Sequence, residues 1–197
     1  MNKKTKLKET ILHILTVNDL FIWSSWSLLQ PFIALWATET IPKVGTKEVG
    51  TATMIYTIMT ALISKPLGKL LDKIKGYDDE VIFLSLGGII AGITIMYLQF
   101  IHTIPLYYLA EAIIGLGLAT DVISWRILFT HNITPSKAGH EWSTYGTLMA
   151  IGVALSAWVG GYLANMFGYN TVFTIAGILT IFGGLIPTFL FKIQKSM

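Results

Sequence analysis

Six long apolar stretches, separated by short polar connections, restrict this sequence to a membrane fold. A helix that crosses a bilayer needs roughly 20 mostly apolar residues, and we predict such spans at about 11–37, 49–71, 81–101, 105–130, 143–166 and 170–191. Only 13% of the residues are charged, which is about half of the roughly 25% that is usual in soluble domains. We therefore expect an all-α, polytopic membrane protein with one domain over residues 1–197.

The positive charges predict the orientation of the spans, because lysine and arginine accumulate in cytoplasmic segments. If the N-terminus is inside, only Lys43 and Lys47 lie outside. The inside segments then hold Lys3, Lys4, Lys6, Lys8, Lys65, Lys69, Lys73, Lys75, Arg126, Lys137, Lys192 and Lys195. We thus predict a protein of the cell membrane with both termini on the cytoplasmic side. Because every copy inserts the same way, a homodimer would be parallel.

The composition and the missing motifs argue against an enzyme. The chain has no Cys, which excludes disulfides, thiolate metal sites and Cys catalysis. The stretch from His140 to Thr144 lacks the second His of H-E-x-x-H, and neither G-x-S-x-G nor a P-loop is present. The net charge of +3 comes from cations that flank the spans. We predict no enzymatic activity, metal, cofactor or nucleic-acid partner.

Three carboxylates fall inside the spans: Asp19 in the first, and Glu111 and Asp121 in the fourth. Ionisable residues inside a bilayer are costly and usually functional. If the six helices form two inverted three-helix repeats, the first and fourth are equivalent and would line one shared polar cavity. The residues predicted to bind a solute or a proton there are Asp19, Asn18, Gln30, Trp26, Tyr56, Glu111 and Asp121.

The three acids and the two aromatic candidates also have a structural interpretation. Asp19 could cap the cytoplasmic end of a shorter first helix, and Glu111 could reach water near the headgroups. Asp121 could form an ion pair with Arg126 or Lys65. The aromatic candidates could be anchors at the membrane boundary instead of cavity residues.

Small residues recur every fourth position in the fifth span, at Gly152, Ser156, Gly160 and Ala164, and Gly161 follows directly. Such a stripe lets helices approach closely. We therefore predict that it serves helix packing.

The loop between the second and third spans resembles the signature loop of the major facilitator superfamily, G-x-x-x-D-[RK]-x-G-[RK]-[RK]. Gly68, Asp72 and Lys73 match this pattern, whereas Lys75 and Gly76 stand in swapped order. The resemblance implies that the matching residues help to latch one conformation of the protein.

Two more segments are similar to this family. Gly152, Gly160 and Gly161 fit part of its antiporter signature, G-x8-G-x3-G-P-x2-G-G. In the fourth span, where the family often has R-x-x-x-G, Glu111 takes the Arg position before Gly115. The proton-relay role of that Arg is therefore not transferred to this chain.

The resemblance implies one six-helix half bundle and hence a half-size secondary transporter of a small solute. A parallel homodimer would complete the cavity, and rocking of the two bundles would alternate access. We expect proton coupling through Asp19 or Glu111, and a latch contact between Asp72 and Arg126. The alternatives are one half of a heteromeric transporter and a non-transporting membrane interaction protein.

Overall fold

The computed structural model describes residues 3–73 and 76–194, and side chains only between residues 6 and 191. Lys75 and Lys195, which contributed to the predicted loop motif and orientation, lie outside the described residues. The side chains of Lys3, Lys4 and Lys192 lie outside them as well.

The described residues form helices and turns without a strand, which confirms the all-α prediction for this part of the chain. The helices are α1 (Lys3–Leu29), α2 (Ile33–Thr40), α3 (Thr46–Leu71), α4 (Asp78–Tyr97), α5 (Ile104–Asn132), α6 (Ala138–Phe167), α7 (Tyr169–Leu185) and α8 (Phe189–Gln194). Most begin a few residues before the predicted spans, because the polar residues at the span ends continue the helix. Gly168, at φ 79°, makes the turn between α6 and α7, a backbone conformation that favours glycine.

The predicted first span is divided in two. Its helices α1 and α2 meet at an angle of 47°, and the break contains Pro31. Proline has no N–H to donate and disfavours the helical conformation of the preceding residue. On the far side of the break, Trp36 and Ala37 anchor α2 in the core.

Within the described part of the chain, four helical segments are long and apolar enough to cross a membrane, and α1 with α2 is a fifth if the pair counts as one broken span. The remaining predicted span is α3, which has 26 residues and is long enough but carries many hydroxyl groups. Those of Thr51, Thr53, Thr57, Thr60 and Ser64 each donate to the carbonyl oxygen four residues earlier. This internal bonding lowers the cost of placing hydroxyls in an apolar environment.

The helices pack with α1, α4, α5 and α7 in the centre. On one side α5 contacts α3 and α4, on the other α1 contacts α6 and α7, and α4 joins the two sides through α7. In α6 only Met149 and Gly160 are buried. The acids predicted to be functional thus lie on α1 and α5, and each of these helices contacts one flanking helix as well as central ones.

Glycines allow several of these helices to approach at backbone distance. A Cβ on Gly88 of α4 would lie 2.9 Å from Cα of Gly184 in α7. A Cβ on Gly115 of α5 would lie 2.6 Å from the carbonyl oxygen of Tyr56 in α3. Both separations are too short for a side chain, so the glycines determine how closely these helices pack.

The neighbours Gly160 and Gly161 provide a matched test of this packing. A Cβ at Gly160 would overlap the Leu28 carbonyl oxygen, whereas a Cβ at Gly161 would lie 4.0 Å from Cβ of Pro31. We expect Gly160→Ala to lower the free energy of unfolding by about 1–3 kcal/mol, because α6 must move off α1. Gly161→Ala should leave it unchanged or raise it by up to about 1 kcal/mol, from the higher helix propensity of Ala. Thermal unfolding in detergent, followed by circular dichroism, measures both; equal melting temperatures would contradict the tight α1–α6 contact.

Candidate functional site

The helices that carry the predicted acids, α1 and α5, run antiparallel along one contact. Near the start of α1, Lys8 Nζ donates a 3.4 Å hydrogen bond to the carbonyl oxygen of His131. Further along, Trp125 Nε1 donates a 2.9 Å hydrogen bond to the carbonyl oxygen of Leu15. Residue numbers thus rise along α1 as they fall along α5.

This register brings two acids together. Asp19 lies one turn after Leu15, and Asp121 lies one turn before Trp125. Asp19 is 2% exposed and Asp121 is fully buried, as is the neighbouring Asn18. The Trp125–Leu15 hydrogen bond places the two acidic residues at the same level of the α1–α5 contact. We call Asp19 and Asp121 the acid pair.

The acid pair has few hydrogen-bond partners. Asp19 accepts a hydrogen bond from the Tyr145 hydroxyl of α6, and Asn18 Nδ2 donates to the Gly183 carbonyl oxygen at 3.1 Å. Among the described residues, nothing bonds to either carboxyl oxygen of Asp121 or to Oδ1 of Asn18. A buried carboxylate without a partner is strongly unfavourable. The Asp121 carboxyl oxygens are therefore suited to hold a proton, and together with Asn18 Oδ1 they are suited to a small cation.

The structure also bears on the structural interpretations of Asp121 as an ion-pair partner and of Asp19 as a helix cap. Asp121 forms no ion pair with Arg126 or Lys65, since no described group bonds to its carboxyl oxygens and both basic side chains are exposed. Asp19 lies well inside α1, which begins at Lys3, so it does not cap a helix end.

A second site lies farther along the same contact, where α1, α2, α3 and α5 enclose a cavity of about 290 Å³. Its lining includes Trp26, Gln30, Tyr56 and Glu111. The rings of Trp26 and Tyr56 are stacked, with centroids 5.6 Å apart and an interplanar angle of 11°. We call this space the aromatic cavity.

Glu111 is the only carboxylate among the residues that line the aromatic cavity. It is 5% exposed and shares the lining of the cavity with Tyr56 and Tyr107. A desolvated negative charge beside aromatic faces favours a cation, because the faces carry partial negative charge. Its burial also means that Glu111 does not extend into water.

The seven predicted residues therefore form two groups instead of lining one shared cavity. Trp26, Gln30, Tyr56 and Glu111 line the aromatic cavity, whereas Asn18 adjoins the acid pair. Glu111 and Asp121 are ten positions apart on α5, which is about 15 Å of helix. One helix can thus hold two acids at different depths.

Tyr145 and Tyr107 were not among the predicted residues. Tyr145 is one turn after Glu141 at the start of α6, and Tyr107 lies in the first turn of α5. Neither position has a sequence signal that separates it from the other membrane-boundary aromatics. Their roles depend on which helices pack against α1 and α5.

The predicted latch residues lie at the end of α3. The Asp72 N–H donates to the Gly68 carbonyl oxygen at 3.0 Å, and the side chains of Asp72 and Lys73 are exposed. The one ion pair between described residues joins Lys137 to Glu9 at 3.8 Å, so Asp72 and Arg126 are not paired in this arrangement. Their contact stays a prediction for another conformation.

The predicted packing stripe faces α1 of the same chain. A Cβ on Gly152 would overlap the side chain of Leu20, and Gly160 is in backbone contact with α1. Ser156 and Gly161 are partly buried on the same helix. Two glycines of the stripe are thus used inside the bundle.

Outside the membrane-spanning segments, the acid at the start of α3 has a local role. The Gly45 N–H donates to Glu48 Oε2 at 3.0 Å, and this hydrogen bond lowers the pKa of the Glu48 carboxyl below its usual value.

Within the described residues, no group of His, Asp and Glu side chains has the arrangement of a metal site.

Three relatives show what the chain is similar to. It is 27% identical over 158 residues to the proton-coupled antiporter flippase LtaA of Staphylococcus haemolyticus, a match over 74% of this chain and 39% of the relative. It is 25% identical over 190 residues to a multi-drug resistance efflux pump PmrA homolog of Lactococcus lactis, over 90% of this chain and 43% of the relative. It is 24% identical over 161 residues to the uncharacterized MFS-type transporter YitZ of Bacillus subtilis, over 81% of this chain and 93% of the relative. The chain thus spans less than half the length of two of these proteins and nearly all of the third.

The family itself follows from a match over most of the chain. The sequence profile of the Major Facilitator Superfamily matches residues 16–196, a range that includes both acid sites and the loop with Gly68 and Asp72. Together with the apolar helices, this match indicates a multi-pass membrane protein. It confirms the resemblance seen in the loop motif, and the chain belongs to the Major Facilitator Superfamily.

Proposed function

We propose that the protein is a half-size transporter of a small solute that works as a parallel homodimer with alternating access. Members of its family are transporters rather than enzymes. The observation that carries the proposal is the aromatic cavity, where Glu111 is buried among aromatic side chains at the meeting point of four helices. A volume of about 290 Å³ is at the lower limit for ligand pockets, and a second copy facing the first would enlarge it.

The packing pattern supports two inverted repeats of three spans within the bundle. If α1 with α2, α3 and α4 correspond to α5, α6 and α7, then the contacts of α1 with α6 and α7 correspond to those of α5 with α3 and α4. Because α4 and α7 are equivalent helices in this correspondence, exchanging the two repeats leaves the α4–α7 contact unchanged. A two-fold axis between the repeats would therefore pass through that contact. Such an internal repeat is common in secondary transporters. In this arrangement α3 also crosses the membrane and brings the number of spans to six. Both termini then lie on the same side, which the positive charges predict to be cytoplasmic.

The solute that best suits the aromatic cavity is an organic cation with an apolar body. Glu111 supplies the negative charge, and the stacked rings of Trp26 and Tyr56 supply apolar and cation-attracting surface. Two of the relatives carry the names of a multi-drug efflux pump and a flippase, and such names are compatible with an amphipathic solute.

Proton coupling is the proposed energy source, with Asp19 or Glu111 as the carrier. Both are buried carboxylates, and neutralisation by a proton would lower the cost of moving them through an apolar environment. The similar LtaA of Staphylococcus haemolyticus is named a proton-coupled antiporter.

The oligomeric mass in lipid nanodiscs tests the homodimer. We expect the mass of two chains, because one bundle offers only one wall of a central cavity. Each chain contributes 21.8 kDa, so mass photometry or native mass spectrometry distinguishes one copy from two after subtraction of an empty disc. A mass of one chain over the full range of protein-to-lipid ratios would contradict the homodimer.

A second candidate is one half of a heteromeric transporter, or a membrane interaction protein that does not transport. The apolar face of α6, with Leu155 60% and Trp158 72% exposed, is the surface on which such a partner could replace lipid. A single-chain mass in nanodiscs, together with co-purification of a different six-span protein from the native membrane, would support this candidate over the homodimer.

A further inference from the structure

We propose that the cavity between the starts of α1 and α6 binds the headgroup of a zwitterionic phospholipid, in which a two-carbon linker joins a phosphate to an ammonium group. This space has a volume of about 320 Å³, and we call it the boundary cavity. Its lining includes neither member of the acid pair nor any residue that lines the aromatic cavity. The proposed lipid site is therefore distinct from the proposed solute site, and its test needs no transport.

The boundary cavity changes from charged to apolar along the direction of the helices. Its charged residues, such as Glu9 and Lys137, precede the apolar stretches that begin at about residues 11 and 143. Leu12 and Leu148 lie within those stretches and line the same cavity, and Leu148 is 46% exposed. A molecule bound here therefore has its polar end at the membrane boundary and its apolar end in the hydrocarbon. That distribution is the one that a phospholipid has.

The basic side chains of the cavity suit a phosphate. Lys137 Nζ lies 3.8 Å from Glu9 Oε1, which is an ion pair but is longer than a hydrogen bond. The ammonium group of Lys137 thus keeps N–H donors for another acceptor. His13 of α1 and His140 of α6 are both exposed and line the same cavity. All three side chains can donate hydrogen bonds to phosphate oxygens.

Acidic and aromatic side chains of the same cavity suit an ammonium group. Glu141 Oε2 accepts a 2.9 Å hydrogen bond from the Thr134 N–H, which fixes the carboxylate at the start of α6. A carboxylate accepts several hydrogen bonds, so Glu141 can also accept one from a ligand. The rings of Phe129 and Tyr145 line the cavity with their centroids 5.3 Å apart, and aromatic faces attract cations.

Side chains of both signs favour a zwitterion over a simple ion. The described residues that line the cavity include two acids, Glu9 and Glu141, and one lysine, Lys137. An anion alone would face the two carboxylates, and a cation alone would face the lysine. Lys137 and Glu141 are four positions apart, which is about one turn of helix. A phosphate beside Lys137 and an ammonium group beside Glu141 would satisfy both side chains at once.

Native mass spectrometry of the full chain, purified free of lipid in detergent, tests the headgroup by titration with three probes. Dihexanoyl phosphatidylethanolamine carries both charges, dihexanoyl phosphatidylglycerol lacks the ammonium group, and glycerophosphoethanolamine lacks the acyl chains. We expect the first to bind about ten-fold more tightly than the second, the effect of one hydrogen bond to a charged group. Equal affinity for these two would overturn the proposal. If glycerophosphoethanolamine binds as tightly as the first probe, the ligand is a soluble zwitterion, and the lipid is overturned as its source.

Two variants separate the two ends of the headgroup. Lys137→Met should weaken both phospholipid probes by about ten-fold, because both carry the phosphate. Glu141→Gln should remove the preference for phosphatidylethanolamine without weakening phosphatidylglycerol, and Gln still accepts the hydrogen bond from the Thr134 N–H. Lys47→Met and Glu39→Gln are the matched controls, since they make the same changes at exposed positions outside the cavity. A preference that survives Glu141→Gln in a monodisperse, helical sample would overturn the proposal.

Discussion

Glu111→Gln should weaken the binding of a hydrophobic organic cation by about 100-fold. The carboxylate is 5% exposed and lines the aromatic cavity with Trp26 and Tyr56. Removing one partner from a desolvated charge contact costs about 2–5 kcal/mol, and each 1.4 kcal/mol is about a factor of ten in affinity. Gln keeps the shape and polarity of the side chain, so the loss reports the charge.

The measurement uses radiolabelled tetraphenylphosphonium and the protein in lipid nanodiscs, with binding determined at several probe concentrations. Glu39→Gln is the matched control, because it makes the same chemical change at an exposed position of α2. If both variants bind the probe as tightly as the wild type does, Glu111 is not the cation site. If the wild type itself shows no saturable binding, the proposed solute class is wrong.

Asp19→Asn should abolish the accumulation of solute driven by a proton gradient. An amide cannot take up a proton near neutral pH, so a cycle that carries its proton on Asp19 loses its driving force. Asn has the size of Asp and can still accept the hydrogen bond from the Tyr145 hydroxyl. Downhill equilibration of the same solute should therefore persist, which separates a coupling defect from misfolding.

Proteoliposomes with an imposed pH gradient provide this measurement, with tetraphenylphosphonium as the solute. Asp78→Asn is the matched control, since Asp78 is exposed in the first turn of α4. Proton-driven accumulation that survives in both Asp19→Asn and Glu111→Gln would show that neither acid carries the coupling proton.

The register of α1 against α5 explains why the sequence predicted the important acids but not their grouping. Carboxylates inside apolar stretches are visible without a structure, since each one interrupts a hydrophobic pattern. Whether Asp19 lies beside Asp121 or beside Glu111 depends on the Trp125–Leu15 hydrogen bond and on the glycines that determine helix spacing. A residue such as Tyr145 gains its role only through a contact 126 positions away in the chain.

The sequence by itself determined the helical class, most helix positions and the family, because these depend on local apolar runs and short motifs. Its charge distribution also predicted an orientation, which stays a prediction. Only the tertiary structure decided that the first span is divided at Pro31 by a 47° bend, that the acids form two sites, and that Gly152 and Gly160 face α1 of the same chain. These features depend on contacts between residues far apart in sequence. A hydrophobic pattern shows that a helix buries a face, but it does not show which helix covers that face.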